Sequence, residues 1–288
     1  MKISGFTFVR NAVRFDYPVV ESIRSILPLC DEFVVAVGNS SDETRSLIEG
    51  IGSPKIRIID TVWDENLRKG GEVLAAETNK AFDAVNPDHD WAFYLQADEV
   101  IHEQYLPVIQ KCLEQNTRRS EIQGLLFDYL HFWGSYHYTG DSRQWYRNEI
   151  RIIRNDKKIR SYRDAQGFRK EGRKLKVVPV NATVCHYGWV KPPAAQQAKQ
   201  QSFHRYWHSD RWIEKKVSGQ EEYDYSEIGY LSPFTGTHPL TMKERIAAMD
   251  WEFTYNPARG KHSMKEDLLH RIEKSTGWRP GEYKNYRL

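Results

Sequence analysis

Short apolar runs separated by turn residues set the rhythm of the first hundred positions. Ile3 to Val9 reads as a strand. Val19, Val20, Ile23, Ile26 and Leu27 then recur at helical spacing, behind Asp16 as a cap and Pro18 in the first turn. Phe33 to Val37 is wholly apolar, the pattern of a strand covered on both faces. It breaks at Gly38-Asn39-Ser40-Ser41, where Ser40 and Glu43 have capping-box spacing for a helix ending near Gly50 or Gly52. Lys55 to Ile59 gives a third strand. Gly70-Gly71 precedes a helical stretch from Val73 to Val85 that stops at Asn86-Pro87. Trp91 to Leu95 is a fourth buried strand, running straight into Gln96-Ala97-Asp98-Glu99, and a helix with Pro107 near its start follows.

Strands alternating with helices predict βαβ units, hence an α/β fold with a mostly parallel central sheet flanked by helices. Ligands of such sheets bind beyond the carboxyl ends of the strands. Four polar segments fall there: Arg10-Asn11, Gly38 to Asp42, the turn after Ile59, and Gln96 to Glu99. Farther on, Ile122 to Trp133, Glu149 to Arg154 and Val177 to His186 read as longer strands, the first two as an antiparallel pair. After Pro192-Pro193 the pattern turns helical, over Ala194 to Lys216, Thr241 to Phe253 and Met264 to Ser275. The expected division is a catalytic domain over 1–190 and a mainly helical extension over 191–288.

The chain has 288 residues, and 40% of them are hydrophobic, enough for a substantial core. No apolar run approaches the roughly 18 residues of a membrane span. Three scattered cysteines, Cys30, Cys112 and Cys185, without CxxC spacing, argue against a disulfide framework or zinc finger and fit a reducing cytoplasm. The N-terminus lacks a signal-peptide pattern. A net charge of +3 is too small to point to nucleic acid, yet Gly140 to Lys176 holds thirteen Lys and Arg against five Asp and Glu. Such a block suits an anionic ligand such as a diphosphate, or is a solvated face. Nine Trp and sixteen Tyr provide flat rings suited to stacking on sugars or to core packing.

A carboxylate just beyond a buried strand is well placed to hold Mg2+ or Mn2+, which bind through one or two carboxylates plus substrate phosphates. Asp98 is the expected ligand, with Glu99 supporting it and the strand-end His186 as a further ligand. Taken singly, an acidic pair also serves as a helix cap and a lone histidine as a hydrogen-bonded residue.

Val35 to Thr44 (VAVGNSSDET), Asn79 and Tyr94 to Glu99 (YLQADE) together resemble, in order and spacing, the landmarks of family 2 glycosyltransferases with the GT-A fold, over roughly residues 3 to 190. The resemblance implies transfer of a sugar from a nucleotide-diphosphate donor, UDP-linked, to a hydroxyl of a glycan or glycolipid acceptor, inverting and metal-assisted. It places Arg10, Asn11, Asn39, Asp42, Asn79 and Gln96 around the nucleotide donor, and Asp98 and His186 on the metal. It also sets the catalytic base in the interval that holds Asp164, with Asp141 and Glu149 as rivals. Lys69, Arg169 and Lys170 are candidates to stabilise the leaving diphosphate. The chain departs from the pattern in three places. The first carboxylate of the DxD motif is Gln96, which can hydrogen-bond a ribose hydroxyl or a metal-bound water but carries no charge. Gly38-Asn39 stands where an acidic residue is usual, and Thr78 where arginine is frequent. These departures leave room for a sugar-nucleotide or glycan-binding protein without turnover. A sugar nucleotidyltransferase would need a glycine-rich loop after the first strand, and Phe8 to Phe15 has no glycine. For the extension, Phe203, Trp207 and Trp212 with His204, Arg205 and Arg211 form a basic-aromatic helix that packs on the core, covers the acceptor side, mediates dimerisation or rests on the inner face of a membrane.

Overall fold

The computed structural model describes residues 1–216, 219–226, 228–257 and 263–288. Strands β1 (Ile3–Val9), β2 (Glu32–Gly38), β3 (Ile56–Thr61) and β4 (Trp91–Tyr94) pair in parallel in the order β3-β2-β1-β4. Helices α1 (Val19–Ile26), α2 (Thr44–Glu49) and α3 (Glu72–Asp83) make the crossovers. The apolar run in β2 follows from its two covered faces. Phe33, Val35 and Val37 pack with Ile23 and Ile26 of α1, whereas Val34 and Ala36 pack with Ala81 and Phe82 of α3.

Two expected caps differ in detail. Asp16 adopts a left-handed φ of 47° and pairs with Arg245, so α1 begins after Pro18 without a side-chain cap. The start of α2 is held by Asp42, whose Oδ1 accepts from the Thr44 amide at 3.1 Å. Ser40 is unavailable for that job because its hydroxyl donates to the Gly38 carbonyl and accepts from the Asn11 amide.

The middle of the chain turns the sheet mixed. It comprises β5 (Glu99–Ile101), α4 (Leu106–Asn116), β6 (Gly124–Trp133), β7 (Tyr138–Gly140), β8 (Asn148–Arg154), β9 (Ile159–Tyr162), β10 (Gly167–Lys170), β11 (Arg173–Lys174) and β12 (Val177–Trp189). Strand β8 runs antiparallel between β4 and β6, while β12 lies parallel to β6 and antiparallel to β5. Strands β9 to β11 form a separate antiparallel sheet. Part of the basic block is spent here on ion pairs: Arg160 with Asp83, Lys170 with Asp156, and Lys158 with Glu171. Arg169 is buried and donates to the Asn285 carbonyl at 2.7 Å. Arg169 and Lys170 therefore brace this sheet and its contact with the chain's last residues.

Beyond β12 come α5 (Pro193–Phe203), α6 (Asp210–Lys216), β13 (Leu231–Pro233), α7 (Lys243–Ala247) and α8 (Met264–Thr276). The helix expected over Ala194 to Lys216 breaks at 207–209. That expected over Thr241 to Phe253 shortens to α7 and a preceding 3-10 turn. After α7, Trp251 and Phe253 leave helical geometry to pack on residues 133–138, and the Trp251 indole donates to the Gly134 carbonyl at 2.7 Å. Among the described residues, no helix is long and apolar enough to cross a membrane.

One ion pair ties these parts together. Arg151 of β8 and Glu99 of β5 are both fully buried and meet through two hydrogen bonds of 2.7 Å. Glu99 also accepts from the Tyr129 hydroxyl on β6 at 2.8 Å and from the Gln96 amide at 3.0 Å. Removing one partner strands a charge in the interior. Arg151→Met is expected to destabilise the protein by about 3–5 kcal/mol in denaturant unfolding, and a loss below about 1 kcal/mol would contradict a tying role for the pair.

Candidate active site

The end of β1, the turn after β4 and the roof made by α5 and residues 204–208 enclose a cavity of about 520 Å3. Its floor is the carboxyl ends of the parallel strands, where the topology places ligands. Asp98 enters from the turn that Glu99 and Arg151 fix. His186 enters from β12, whose register sets it opposite Glu99 on β5 and His131 on β6. Residues 98 and 186 thus come together by strand pairing: His186 Nε2 lies 3.8 Å from Asp98 Oδ1. Gly188 makes the approach possible, because a Cβ there would sit 2.6 Å from His186 Nε2 and 2.8 Å from Asp98 Oδ2.

The proton positions on the two histidines follow from their partners. Burial first, and His186 second, hold His131 down to about 3, so it is neutral near pH 7. Its Nε2 lies 2.9 Å from the Tyr146 carbonyl, which can only accept, so the proton sits on Nε2. His131 Nδ1 is then an acceptor, and His186 Nδ1, 3.1 Å away, donates to it. Burial likewise pushes His186 down to about 4 against the pull of Asp98. Its Nε2 therefore presents a lone pair to Asp98 and the cavity.

A third group completes the cluster. Lys199 of α5 is buried, with Nζ 3.4 Å from Asp98 Oδ2 and 2.9 Å from the Gly188 carbonyl. Burial raises the Asp98 carboxyl, but Lys199, then His186 and Lys191, bring it down to about 2. Burial lowers Lys199 while Asp98 supports its charge. Lys191 is fully buried too, donates to the Asp16 carbonyl at 2.9 Å, and is pushed well down by burial and by Lys199. Among the described residues, no three His, Cys, Asp or Glu side chains converge as a metal site. One carboxylate and one neutral imidazole beside a buried ammonium do not fit a divalent ion: the single carboxylate is already paired with Lys199, whose positive charge stands beside the oxygens an ion would need.

The other expected residues divide into those that line the cavity and those that hold its rim. Arg10, Gln96 and Asp164 line it. Arg10 stands 5.7 Å from the centre of the Trp63 ring and donates to the Asn39 carbonyl at 3.2 Å. Asn11, Asn39 and Asp42 are absent from the lining and are spent on backbone. Asn11 Oδ1 accepts from the Ser41 amide at 2.8 Å, Asn39 Oδ1 accepts from the Trp63 amide at 3.3 Å, and Asp42 takes the Arg14 and Thr44 amides. Asn79 clasps Ser161 of β9 through two hydrogen bonds. Lys69 is exposed and off the lining.

Asp164 sits in the β9–β10 turn between Arg163 and Ala165, both with positive φ. Gly71, at φ 73°, lets the start of α3 approach it, since a Cβ there would lie 2.8 Å from Asp164 Cβ. Asp164 also lines a second cavity of about 440 Å3, as do Tyr146 and Gln166. Of its rivals, Asp141 is tied to Ser232 and Lys274, each at 2.7 Å, outside both cavities. Glu149 lines the second cavity only, buried with Oε2 unpartnered. Lys199, Lys191 and His131 were absent from the sequence expectations. Of the expected basic-aromatic segment, Phe203 and Trp207 do pack on the core: with Tyr206, which was not among the expectations, they form a roof over Trp63, Val73 and Leu74. Trp133 and Trp189 stack on each other, 4.6 Å apart, and Trp189 reaches the first cavity. Trp145 lines the second cavity, whereas Tyr136 is buried in a separate apolar cluster.

No family model matches the chain, and no curated protein matches it. Solved structures do overlap it in part. S. aureus TarS 1-349 in complex with UDP shares 18% identity over 46% of this chain and 36% of that one, with a TM-score of 0.34. Glucosyl-3-phosphoglycerate synthase from Mycobacterium tuberculosis in complex with Mn2+, UDP and phosphoglyceric acid shares 18% identity over 45% of this chain and 43% of that one, TM-score 0.32. The same synthase with Mn2+, UDP-glucose and glycerol 3-phosphate shares 18% over 45% and 44%, TM-score 0.32. The chain spans less than half the length of each.

Burial lifts the Glu149 carboxyl from 4.5 to about 8, against the pull of Arg151. Between those values the folded state holds a proton that the unfolded chain has released, so stability falls as pH rises through the window. The loss approaches about 1.4 kcal/mol per pH unit. Glu149→Gln is expected to flatten that slope in denaturant unfolding from about pH 5 to about pH 8; an unchanged slope would remove Glu149 as its source.

Proposed function

We propose that this protein is a glycosyltransferase that moves a sugar from a nucleotide-diphosphate donor, UDP-linked, to a hydroxyl of a glycan or glycolipid. The observation that carries the reading is the position of Asp164 at the junction of two cavities. The first, with Arg10 and Trp63 at one end and Asp98, His186 and Lys199 beneath the roof, takes the nucleotide and its sugar. The second, lined by Trp145, Tyr146 and Tyr162, takes the acceptor. A carboxylate shared by both can meet the acceptor hydroxyl as that oxygen approaches the sugar.

Asp164 is the base in this reading. The acceptor oxygen forms its bond to the anomeric carbon from the face opposite the leaving group, which inverts the centre. The bond to the phosphate oxygen breaks with its electron pair going to the diphosphate, and the hydroxyl proton goes to Asp164. Trp63 offers a ring for the nucleobase, with Arg10 beside it. Gln96 takes a ribose or sugar hydroxyl, and the His186 lone pair accepts from another. Asp98 orients Lys199. The divalent ion implied by the sequence resemblance enters no step, because the side chains present do not fit it.

A panel of UDP-, GDP- and ADP-sugars tests the reading by thermal shift and by donor consumption. One nucleotide class is expected to stabilise the protein, since a ligand that binds only the folded state raises its melting temperature. Asp164→Asn is expected to keep that stabilisation and to lose turnover by at least about 100-fold. Turnover within about tenfold of wild type would remove Asp164 as the base, and binding without turnover on any donor or acceptor would sink the transferase assignment.

A further inference from the structure

A divalent ion held by a pair of carboxylates is set against two negative charges. In this chain the amide of Gln96 occupies one of those positions, and the Lys199 ammonium stands 3.4 Å from the carboxylate in the other, Asp98. The amide removes one negative charge and the ammonium adds one positive charge. Together they supply the +2 that the ion would have brought. We infer that Lys199 is the resident cation of this site: its ammonium contacts the diphosphate of a bound sugar nucleotide, so that nucleotide binding requires no divalent metal. The inference rests on the glycosyltransferase reading for its ligand and goes beyond it in the chemistry of the site.

The geometry fits that role. An ammonium has three N–H donors. Two of those on Lys199 are directed at Asp98 Oδ2 and the Gly188 carbonyl, which leaves one for the cavity that Lys199 lines. The side chain is steered by rings, with Nζ 5.0 Å from the centre of Tyr17 and 5.8 Å from that of Phe203. Gly188 keeps the space beside Asp98 and His186 clear of side-chain atoms. Asp98 then orients an ammonium, and His186 Nε2 remains an acceptor for a ligand hydroxyl. As the sugar–phosphate bond breaks, its electron pair stays on the diphosphate. Lys199 keeps its proton throughout and stabilises the growing charge electrostatically. The fixed ammonium is already in place when the nucleotide arrives.

The test is calorimetric titration of the purified full chain with UDP, GDP and ADP, in EDTA and in MnCl2, with the Mn2+ spectrum followed by electron paramagnetic resonance. The nucleotide that binds is expected to do so with dissociation constants within about twofold in the two conditions, and the free-Mn2+ signal should persist when protein and nucleotide are added. Lys199→Met, which keeps the buried stem, is expected to weaken binding at least about tenfold, and Lys199→Arg to retain most of it. Circular dichroism of both variants separates loss of charge from loss of fold. Should the variants not fold, the wild-type comparison of EDTA with MnCl2 decides alone. Binding that disappears in EDTA, or that Lys199→Met leaves intact, would overturn the role of Lys199 while the glycosyltransferase reading stands. Failure of all three nucleotides in both conditions would overturn both.

Discussion

Everything at the cleft depends on how the turn after β4 is held. Four residues there must present Gln96 and Asp98 upward while the chain reverses into β5. Glu99 does this from below, taking the Gln96 amide on one oxygen and the Tyr129 hydroxyl on the other, with Arg151 bridging both. A fully desolvated carboxylate survives only because each of its oxygens is satisfied. The guanidinium belongs to β8, the antiparallel strand inserted between β4 and β6, so the mixed topology is what brings the counter-charge under the turn. Parallel and antiparallel halves of the sheet meet at this pair.

The layout of the N-terminal half was legible because its strands are buried on both faces. A continuous apolar run as short as Phe33 to Val37, closed by turn residues, suits a strand between two helical layers better than any exposed element. The pairing of Asp98 with His186 was also open to reasoning, since strand ends converge in such sheets. Residues with polar side chains on the rim were harder. Asn11, Asn39 and Asp42 lie in the loops where ligand contacts are expected, but sharp loops leave amides without partners, and these side chains satisfy them. An asparagine that ties a loop and one that reads a base look alike in sequence.

Lys199 was illegible for a different reason. It sits in Ala-Ala-Gln-Gln-Ala-Lys-Gln-Gln, a polar stretch that reads as a solvated helix. Its burial comes from α5 lying across the mouth of the sheet, a tertiary fact with no local signature. The basic block misled in the opposite direction. Its density suggested a phosphate, whereas most of its members neutralise acids on neighbouring elements or hold the backbone of the terminal segment. Counting charge along a chain reports how much is present, and only the fold determines which charges face one another.

That terminal segment has a consequence for how the protein can be handled. Asn285 accepts from the Tyr162 hydroxyl, its carbonyl takes Arg169, and the Arg287 carbonyl receives the Val177 amide. The first two contacts clasp the hairpin whose tip is Asp164, more than a hundred positions upstream, and the third holds the start of β12. A chain clipped before Tyr283 would retain the residues that line the first cavity while losing the contacts that hold the turn carrying Asp164.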